Sequence, residues 1–453
     1  MRIAIATAFA TGAGVWKRLQ DEGASVLVWR GATKDESPHL LASHRRVGEG
    51  IVPLTDSWGQ LLAFAKEAAY GEPSMMLFDS SGLGKLADEA RRQGIHVFGG
   101  GSFCDRLEKD RSFGRTLAQK VGIESPEVLE FPSIDACLSH ARNGMAKKPV
   151  YWKTDSYVDG DATHGCETPS ELVDYLTWIR TRANPRIKCI LETKMEGAPL
   201  STARYWNGRA WVGPYEATIE KKKFLTGDIG PGTGCSLNAV GFYADESPAI
   251  AEALSWERLS EPFLKAEAPP GLYDINAIVN DGKAYMLEWT PRLGWDSEGT
   301  SHLLFDDYTA WLWYVTTGQG HPPEPRTEEV AVAIRLSVLP APWEHGERDE
   351  KGSAVGVPIR GDTGDLWSQG FVGYELMVDA EGLAVAAPEG IVGLSAAVGD
   401  SSSELAEQVT EFAKERLWSA SPLMFRVDAG EAIAEDAEAI IEAGMDLPAG
   451  MLR

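Results

Sequence analysis

The sequence predicts an α/β and α+β multidomain protein whose N-terminal domain contains a parallel sheet. The chain has 453 residues, and because one core rarely serves more than about 250–300 residues, two to four structural units are expected. Near the start, short apolar strands alternate with helices, which is typical of a parallel sheet covered by helices. Farther along, two alternating strands meet at Asp281-Gly282, which indicates an antiparallel hairpin.

The N-terminal domain is predicted over residues 1–104. A turn at Gly12–Gly14 follows the first strand, but Lys17 stands where a dinucleotide-binding fingerprint has its third glycine. A tight strand-to-helix turn and a phosphate-binding turn therefore both remain open. The predicted strands are 2–8, 24–29, 75–79 and 95–98, and the predicted helices are 15–22 and 84–93.

A core domain is predicted over 105–320, with a small lobe at about 123–195, and a C-terminal domain over 328–453. The polar, proline-rich stretch 320–329 has the composition of a linker. A glycine-rich loop is expected within 221–235, since its glycines and Pro231 exclude a helix. Helices are predicted near 105–121, 170–181 and 302–317, hairpin strands at 272–280 and 283–289, and a C-terminal helix with its N-cap at Ser401–Ser403.

The composition argues against several classes of protein. The formal charge of −24 disfavours nonspecific nucleic-acid binding, which needs Lys and Arg to neutralise phosphates. The five cysteines are scattered and form no Cys-x-x-Cys pair, so a reducing cytoplasm is expected rather than a disulfide framework or a zinc site. Neither a signal peptide nor the apolar run of about 20 residues that a membrane span requires is evident.

The predicted hairpin carries two carboxylates. Asp274 and Glu288 stand seven residues before and seven after Asp281, so they are expected side by side across the ladder. Asn276 and Thr290 are the next positions on the same faces, because side chains alternate along strands. Oxygen ligands of these kinds suit Mg²⁺ or Mn²⁺, and a cation would explain like charges that face each other. An exposed acidic face without a metal is the alternative.

Basic side chains stand at the ends of predicted elements. Lys109 is near a helix start, and Lys153 and Lys194 follow apolar strands. Ammonium groups in such places suit triphosphate oxygens, although each lysine alone also fits a solvated surface. Three lysines begin the segment 221–235, and the backbone N–H groups of its glycines could form an anion-binding nest. A flexible surface loop is the alternative there.

Six segments of the chain carry a family resemblance. They are HVFGGGSFCDRLEKDRSFGRTLAQKVGIESPE, PVYWKTD, ILETKMEG, GDIGPGTG, LEWTPRLG and GIVGLSAAVGDSSSELAEQVTEFAKERLW. In this order they resemble the phosphoribosylamine–glycine ligase (glycinamide ribonucleotide synthetase) family of the ATP-grasp superfamily, across nearly the whole chain. The resemblance implies an N-terminal α/β (pre-ATP-grasp) domain, a two-lobed ATP-grasp domain and a small C-terminal mixed α/β domain. It also implies an ADP-forming ligase that makes a C–N bond through an acyl phosphate.

The resemblance also implies roles for individual residues. ATP would be bound by its phosphates and its adenine, and the substrate carboxylate would be held by an arginine through a bidentate contact. The implied ATP-binding residues are Lys109, Lys153, Glu192, Lys194 and Met195; the implied catalytic residues are Arg292 and Asp228; the implied substrate-binding residues are Arg292, Asp228, Gly230, Pro231, Gly232 and Thr233; and the metal-binding set is Asp274, Glu288, Thr290 and Asn276.

Departures from the family pattern concern mainly the amine acceptor. The family's glycine-rich turn and its Gly-Pro-Glu motif would both be expected to hold phosphoribosylamine. Here they are replaced by TGAG (11–14) and FDSSG (78–82). In addition, SYVDGDATHGC (156–166) replaces the family's flexible loop, Thr290 replaces its metal-binding asparagine, and Ala198-Pro199 replaces its acidic pair.

These observations give a hypothesis with two alternatives. The hypothesis is a cytoplasmic ligase that uses ATP and Mg²⁺ (or Mn²⁺) to join a glycine-like amino acid to an amine other than phosphoribosylamine. The first alternative is the phosphoribosylamine–glycine ligase of purine synthesis itself. The second is a regulatory nucleotide-binding protein that has lost catalysis. The expected partners are small-molecule carboxylates and amines, without membrane or nucleic acid, and the expected state is a monomer or homodimer.

Overall fold

The structure of the protein is a computed structural model. It describes residues 1–8, 12–31, 38–66, 72–158, 161–342, 353–361 and 366–453, with the backbone alone at 38–40, 155–158, 161–162 and 368. Within these ranges, sheets of five, four and eight strands form the framework. The longest helices there have 14 residues, and none of them is long and apolar enough to cross a bilayer.

The N-terminal part contains a five-stranded parallel sheet, as predicted. Its elements are β1 (Arg2–Thr7), α1 (Ala13–Asp21), β2 (Ser25–Arg30), α2 (Pro38–His44), β3 (Leu54–Thr55), α3 (Trp58–Lys66), β4 (Ser74–Phe78), α4 (Gly84–Arg92) and β5 (Val97–Phe98). The strand order is β3-β2-β1-β4-β5. β1 and β4 are buried almost throughout, which accounts for their continuous apolar runs. β3 was not predicted, because two residues carry no periodic signal.

The small lobe follows two short helices. The elements are α5 (Ser102–Lys109), α6 (Arg111–Lys120), β6 (Val128–Phe131), α7 (Ile134–Arg142), β7 (Val150–Val158), β8 (Asp161–Cys166), α8 (Pro169–Ile179) and β9 (Cys189–Thr193). The single helix predicted near 105–121 is wrong, since Asp110 interrupts it and caps α6 by accepting from the Phe113 N–H. The predicted loop at 156–166 is also largely wrong, since β7 and β8 pair as a hairpin; residues 159–160 lie outside the described residues.

The large lobe is built on long antiparallel strands. Its elements are β10 (Ala198–Trp206), β11 (Trp211–Leu225), β12 (Ile229–Phe242), α9 (Ala249–Ala253), α10 (Ser260–Lys265), β13 (Gly271–Asn280), β14 (Lys283–Thr290), α11 (Trp295–Ser301) and α12 (Tyr308–Thr317). The loop predicted within 221–235 is wrong, because most of this segment extends β11 and β12 as a hairpin. Positive φ angles of 84° at Gly230 and 77° at Gly234 accompany register shifts there, so the glycines distort the strands without ending them.

The C-terminal part continues the sheet of the large lobe. Its elements are β15 (Val330–Ser337), β16 (Ile359–Gly361), β17 (Phe371–Gly373), β18 (Leu376–Asp379), β19 (Gly382–Val385), β20 (Ile391–Gly399), α13 (Ser402–Glu415), β21 (Leu417–Ser419) and α14 (Ala429–Glu442). β15 pairs with β12, giving the order β14-β13-β10-β11-β12-β15-β20-β17. The domain boundaries at 104, 320 and 328 stay a prediction, since one sheet crosses the last two.

The two faces of β13 have opposite character. Tyr273, Ile275, Ala277 and Val279 are fully or nearly fully buried in the main core. The alternating residues Asp274, Asn276 and Ile278 are half-buried on the other face. The sheet therefore has one apolar face, which packs into the core, and one polar face, on which the candidate site lies.

Candidate active site

The polar face of β13 and β14 forms the centre of the candidate site. The predicted turn at 281–282 is present, with φ angles of 51° and 71°, and the strands pair as an antiparallel hairpin. Asp274 pairs with Thr290, and Asn276 pairs with Glu288. Asp274 and Glu288, predicted roughly side by side, are therefore diagonal neighbours across the ladder rather than a directly registered pair. The prediction that all four residues share one face is confirmed by their pairing.

One extra residue in β14 produces this arrangement. The register shifts after the pair of Asn276 with Glu288 and leaves Leu287 as a bulge residue. Without the bulge, Glu288 would face the side of the sheet opposite to Asp274, because a shift of one residue exchanges the two faces. The bulge thus brings the second carboxylate onto the polar face.

Asn276 forms hydrogen bonds that hold the neighbouring side chains of Asp274 and Thr290 in place. Its amide nitrogen donates to Asp274 Oδ2 at 2.9 Å and to Thr290 Oγ1 at 3.1 Å. Its amide oxygen accepts from the Ser201 hydroxyl at 3.0 Å. The amide oxygen that would bind a metal is therefore engaged by Ser201, so Asn276 orients Asp274 and Thr290.

Neighbouring charges push the pKa values of the two carboxyl groups apart. Burial and the charge of Glu220 raise the pKa of Asp274 to about 8. Burial also acts to raise the pKa of Glu288, but nearby cations outweigh it and lower that pKa to about 2. These cations are Lys222, Arg111, Lys153 and Arg292. The polar face is thus an acidic pair influenced by four basic side chains from four parts of the chain.

The cations reach this face from different elements. Arg111, at the start of α6, places its Nη1 3.3 Å from Glu288 Oε2. Arg292, just after β14, lies 3.3 Å from Glu108 and donates to the Leu293 carbonyl at 3.1 Å. Lys222, on β11, has its Nζ 3.4 Å from Glu220. A substrate that carries phosphate or carboxylate would meet all three charges.

The oxygen atoms of Asp274, Glu288 and Thr290 suit Mg²⁺ better than a cation that takes all of its ligands from the protein. In the part of the chain that the structure describes, no group of three or more His, Cys, Asp or Glu side chains is arranged to hold a metal. Two carboxylates and a hydroxyl on a half-buried face match the habit of Mg²⁺ to keep water and phosphate ligands. Zinc, which prefers closed nitrogen and sulfur sites, would not fit here.

A second polar centre lies in the small lobe. Lys153, on β7, is buried and donates to Glu192 Oε1 on β9 at 2.5 Å. Burial lowers the pKa of Arg115 on α6, and the charge of Glu192 partly offsets this effect. The charge of Lys153 also lowers the pKa of Glu288, so this centre acts electrostatically on the acidic pair.

The other predicted nucleotide residues have separate surroundings. Lys109 is exposed, and a Cβ added to Gly82 would lie 3.0 Å from its Nζ. Lys194 forms an ion pair with Glu167, and its backbone N–H donates to the Pro149 carbonyl at 2.9 Å. Met195 is half-buried directly after it. The ATP-binding roles of Lys109, Lys194 and Met195 stay predictions, whereas the structure sets Arg111 beside Glu288.

Asp228 is held in an ionic cluster at the tip of the β11–β12 hairpin. Arg426, whose side chain is almost fully buried, forms an ion pair with Asp228 and contacts Asp428 at 2.6 Å. Lys221 adds a contact to Asp228 at 3.1 Å. This cluster ties the hairpin to the C-terminal part, and the catalytic role of Asp228 stays a prediction.

The remaining predicted substrate residues lie on β12. Gly230, Pro231 and Gly232 are exposed, whereas Thr233 is buried. The Thr233 carbonyl accepts from Arg335 Nη1 at 2.6 Å, and Arg335 makes two 2.8 Å contacts with Asp296. Gly232 pairs with Lys223 on β11, and the substrate-binding role of these residues stays a prediction.

The regions predicted to hold the acceptor do come together. Gly12 and Asp79, at the ends of β1 and β4, line a narrow cavity with Gly294 and Glu298 of the large lobe. Leu293, the residue after Arg292, lines it as well. Two replaced family motifs thus meet the segment that follows the predicted carboxylate-binding arginine.

Arg111, Arg115 and Glu298 were not predicted as site residues, and Lys222 was predicted only as one of three lysines beside a glycine-rich loop. Arg111 and Arg115 stand four residues apart on one face of α6, which was a usable signal. Lys222 alternates with Glu220 along a strand, but this signal was hidden because the segment was assigned to a loop. No local pattern marked Glu298.

The comparisons with known proteins agree with this geometry. No family model matches the sequence. A phosphoribosylamine–glycine ligase of Clostridium acetobutylicum is 20% identical over 216 residues, covering 46% of this chain and 51% of that protein. One of Brucella melitensis is 25% identical over 249 residues, covering 53% and 56%. The chain thus spans about half the length of the curated relatives that it matches.

Solved structures resemble the chain over nearly its full length. The phosphoribosylamine–glycine ligase of Thermotoga maritima has a TM-score of 0.68 at 17% identity and covers 94% of this chain and 100% of its own. A biotin carboxylase domain of Hydrogenobacter thermophilus 2-oxoglutarate carboxylase, in complex with MgADP, has a TM-score of 0.59 at 11% identity, with coverages of 97% and 95%. At such identities these structures establish the fold alone. The chain is therefore similar in sequence, over about half of its length, to phosphoribosylamine–glycine ligases, and it has the fold of the Thermotoga maritima enzyme.

Proposed function

We propose that the protein is an ATP-dependent carboxylate–amine ligase that works through an acyl phosphate. The observation that carries the proposal is the polar face with Asp274 and Glu288, where the charges of Arg292 and of Lys153 from the small lobe both act on Glu288. Such a face combines a divalent-cation site with cations for phosphate and carboxylate groups. Phosphoryl transfer to a carboxylate requires both the divalent cation and these positive charges.

ATP would occupy the gap between the small and large lobes. Lys153 and Arg111 would contact the phosphates, and the strand from Glu192 to Met195 would hold adenine. The MgADP complex of the biotin carboxylase domain supports nucleotide binding by this fold. Lys109 and Lys194 stay predicted ATP ligands.

Asp274, Glu288 and Thr290 would hold Mg²⁺ or Mn²⁺ between the nucleotide phosphates and the sheet. A bound divalent cation neutralises charge that develops on the transferring phosphoryl group. Asn276 would orient Asp274 and Thr290 by its two hydrogen bonds.

Arg292 would bind the carboxylate of the acid substrate, which is a glycine-like amino acid. The acid's oxygen attacks the γ-phosphorus in line, its new O–P bond forms as the bond to ADP breaks, and an acyl phosphate results. Lys222 would stabilise the same negative charge from the opposite side. An amine then displaces phosphate, and a C–N bond forms.

The acceptor is proposed to be an amine other than phosphoribosylamine. The replacement of two family motifs by TGAG and FDSSG supports this view, whereas the relatives by sequence favour the parent phosphoribosylamine–glycine ligase. Both would act as a monomer or homodimer on small molecules. A regulatory protein without catalysis is the third candidate.

Steady-state ADP release with glycine and either phosphoribosylamine or a panel of other amines tests the proposal. We expect ADP release that needs both glycine and an amine, with turnover reduced at least 100-fold in Glu288→Gln. Glu246→Gln, which changes an exposed carboxylate after β12, should match the wild type. Efficient use of phosphoribosylamine would select the parent activity. ADP release that no acid or amine stimulates would contradict the proposal.

A further inference from the structure

We propose that Glu108 makes the ligase selective for amino acids, because its carboxylate binds the ammonium group of the acid whose carboxylate Arg292 binds. This inference rests on the proposed ligase function, since it names the residue that selects the acid substrate of that reaction. Glu108 lies near the end of α5, and Arg292 follows β14. The ligand that the two side chains would recognise is a zwitterionic α-amino acid such as glycine.

Glu108 and Arg292 form an ion pair between the two elements. Glu108 Oε1 accepts from Arg292 Nε at 3.3 Å and also lies 3.3 Å from Nη2. The Glu108 side chain is 22% exposed and the Arg292 side chain 26%, so a small ligand can approach the pair. Burial acts to lower the pKa of Arg292, but the charges of Glu108, Glu288 and Asp274 outweigh it and raise that pKa. The ion pair therefore lies within electrostatic range of the acidic pair.

Arg292 keeps donors for a carboxylate although Glu108 already contacts it. A guanidinium group has one N–H at Nε and two at each terminal nitrogen. Glu108 engages Nε and one N–H of Nη2, and the Leu293 carbonyl accepts one N–H of Nη1 at 3.1 Å. Within the described residues, one N–H on each terminal nitrogen is left without an acceptor. Two such donors form the fork that binds both oxygens of a carboxylate.

The carboxylate of Glu108 likewise has an oxygen that the protein does not use. Its Oε2 is buried and has no hydrogen-bond partner among the described residues. An acceptor removed from water without a donor is costly, and an N–H group of a ligand would remove that cost. The terminal torsion of glutamate is soft, so a small rotation would let the two oxygens share Arg292 and an ammonium group.

An α-amino acid needs protein partners for its two charged groups that are neighbours. Because one carbon atom separates its ammonium group from its carboxylate, the side chains that bind them must lie in contact. Glu108 and Arg292 meet this requirement by their 3.3 Å contact. Asp274 and Glu288 also act on Arg292, but bound Mg²⁺ would engage both in the proposed reaction. Glu108 is therefore the carboxylate that stays available for the ammonium group.

This arrangement separates amino acids from other small acids. A neutral acid substituent would meet a charged carboxylate, and its hydrogen bond to Glu108 would be weaker than that of an ammonium group, which is charged as well. A dicarboxylic acid would place its second negative charge against that of Glu108 and be repelled. The site thus favours a single carboxylate with an adjacent ammonium group.

Glycine and glycolate are matched probes, because they differ only by an ammonium group in place of a hydroxyl group. Calorimetric titration of the full chain would use saturating MgADP, which occupies the metal ligands but has no γ-phosphate to transfer. We expect glycine to bind at least about tenfold more tightly than glycolate. Glu108→Gln, which keeps an oxygen acceptor for Arg292, should weaken glycine binding about tenfold and leave glycolate binding nearly unchanged.

Two further variants separate recognition of the ammonium group from other effects. Arg292→Gln should weaken both acids to a similar extent, because both carry the carboxylate, and Glu246→Gln should change neither. Equal binding of the two acids by the wild type, no saturable glycine binding, or unchanged glycine binding by folded Glu108→Gln would overturn the inference. An equal loss of both acids in Glu108→Gln would also overturn it, since Glu108 would then only hold Arg292 in place.

Two outcomes remain interpretable if a variant or the ligase proposal fails. If Glu108→Gln does not fold, the comparison of glycine with glycolate on the wild-type protein decides alone. Failure of the ligase proposal would appear as missing acid-dependent ADP release in the separate assay, whatever these titrations give.

Discussion

Asp274 and Glu288 share one face of a hairpin but have opposite acid–base character in the cation-free protein. The pKa of Asp274 is raised to about 8 by burial and by Glu220, so this side chain is mostly protonated at pH 7. The pKa of Glu288 is lowered to about 2, because its surrounding cations outweigh burial. A divalent cation would favour the ionised form of Asp274, so metal binding and proton release should be coupled.

We expect Mn²⁺ to bind more tightly as the pH rises. Because protons compete for Asp274, the affinity should increase about 20-fold between pH 6.5 and 8.5 for a pKa of about 8. Glu288 stays ionised throughout this range. Calorimetric titration at both pH values measures the change, and Asp274→Asn should remove it. Equal affinities at the two pH values would contradict the assignment of Asp274 as a ligand.

Asp274→Asn should also stabilise the metal-free protein. The folded state keeps the Asp274 proton up to about pH 8, whereas the unfolded chain loses it near 3.8. The folded state thus binds more protons, and the residue lowers stability increasingly as the pH rises between these values. We expect Tm to rise by a few degrees at pH 8 and to change little at pH 4, while metal-dependent activity is lost. A lower Tm at pH 8 would contradict this assignment.

At the scale of the element, the bulge in β14 decides which side chains meet. Buried Ala284, Met286 and Trp289 are spaced by two and then three residues, so the break in alternation was present in the sequence. Counting seven residues to either side of Asp281 assumed an unbroken alternation, and this count set Asp274 beside Glu288. The residues that form the site were predictable from the hairpin. The register of β13 against β14 was not predicted, because one inserted residue changes every later pair.

Gly197 connects the small lobe to the large sheet and tolerates no side chain. Its φ is 138°, and an added Cβ would lie 2.3 Å from the Val279 carbonyl oxygen. Gly197→Ala should therefore lower the free energy of unfolding by more than about 2 kcal/mol. Gly144→Ala is the matched control, since its φ is 67° with nothing within 4 Å, and it should cost about 1 kcal/mol. Urea unfolding measures both, and equal losses would refute the close-contact argument.

At the scale of the whole molecule, one sheet runs from the acidic pair to the C-terminal strands. The parallel N-terminal sheet and the β13–β14 hairpin were predictable, because their apolar patterns and turn residues are local. The pairing of β15 with β12 was not predictable, since it joins strands about 90 residues apart by their registered positions. For the same reason the contact of Asp228 with Arg426 was missed, and Asp228 was assigned to catalysis.

The Arg426 cluster should matter for stability and not for nucleotide binding. Burial acts to raise the pKa of Asp428, but the hydrogen bonds and charge of Arg426 outweigh it and lower that pKa below its ordinary value of 3.8. The ion pair therefore stabilises the fold above pH 3.8, and this stabilisation is lost as the pH falls below that value. Arg426→Met should cost about 3 kcal/mol at pH 7 and less at pH 3.5. MgATP affinity should be unchanged. Loss of MgATP binding in a folded variant would instead place the cluster at the active site.

The formation of an acyl phosphate is the central claim, and hydroxylamine trapping tests it most directly. Wild-type protein would be incubated with MgATP, hydroxylamine and each of the common amino acids in turn. We predict that a small amino acid gives hydroxamate and ADP in equal amounts, and that Glu288→Gln and Lys153→Met reduce both at least 100-fold while exposed Lys147→Met does not. Protein that binds MgATP but gives no hydroxamate with any amino acid would contradict the account.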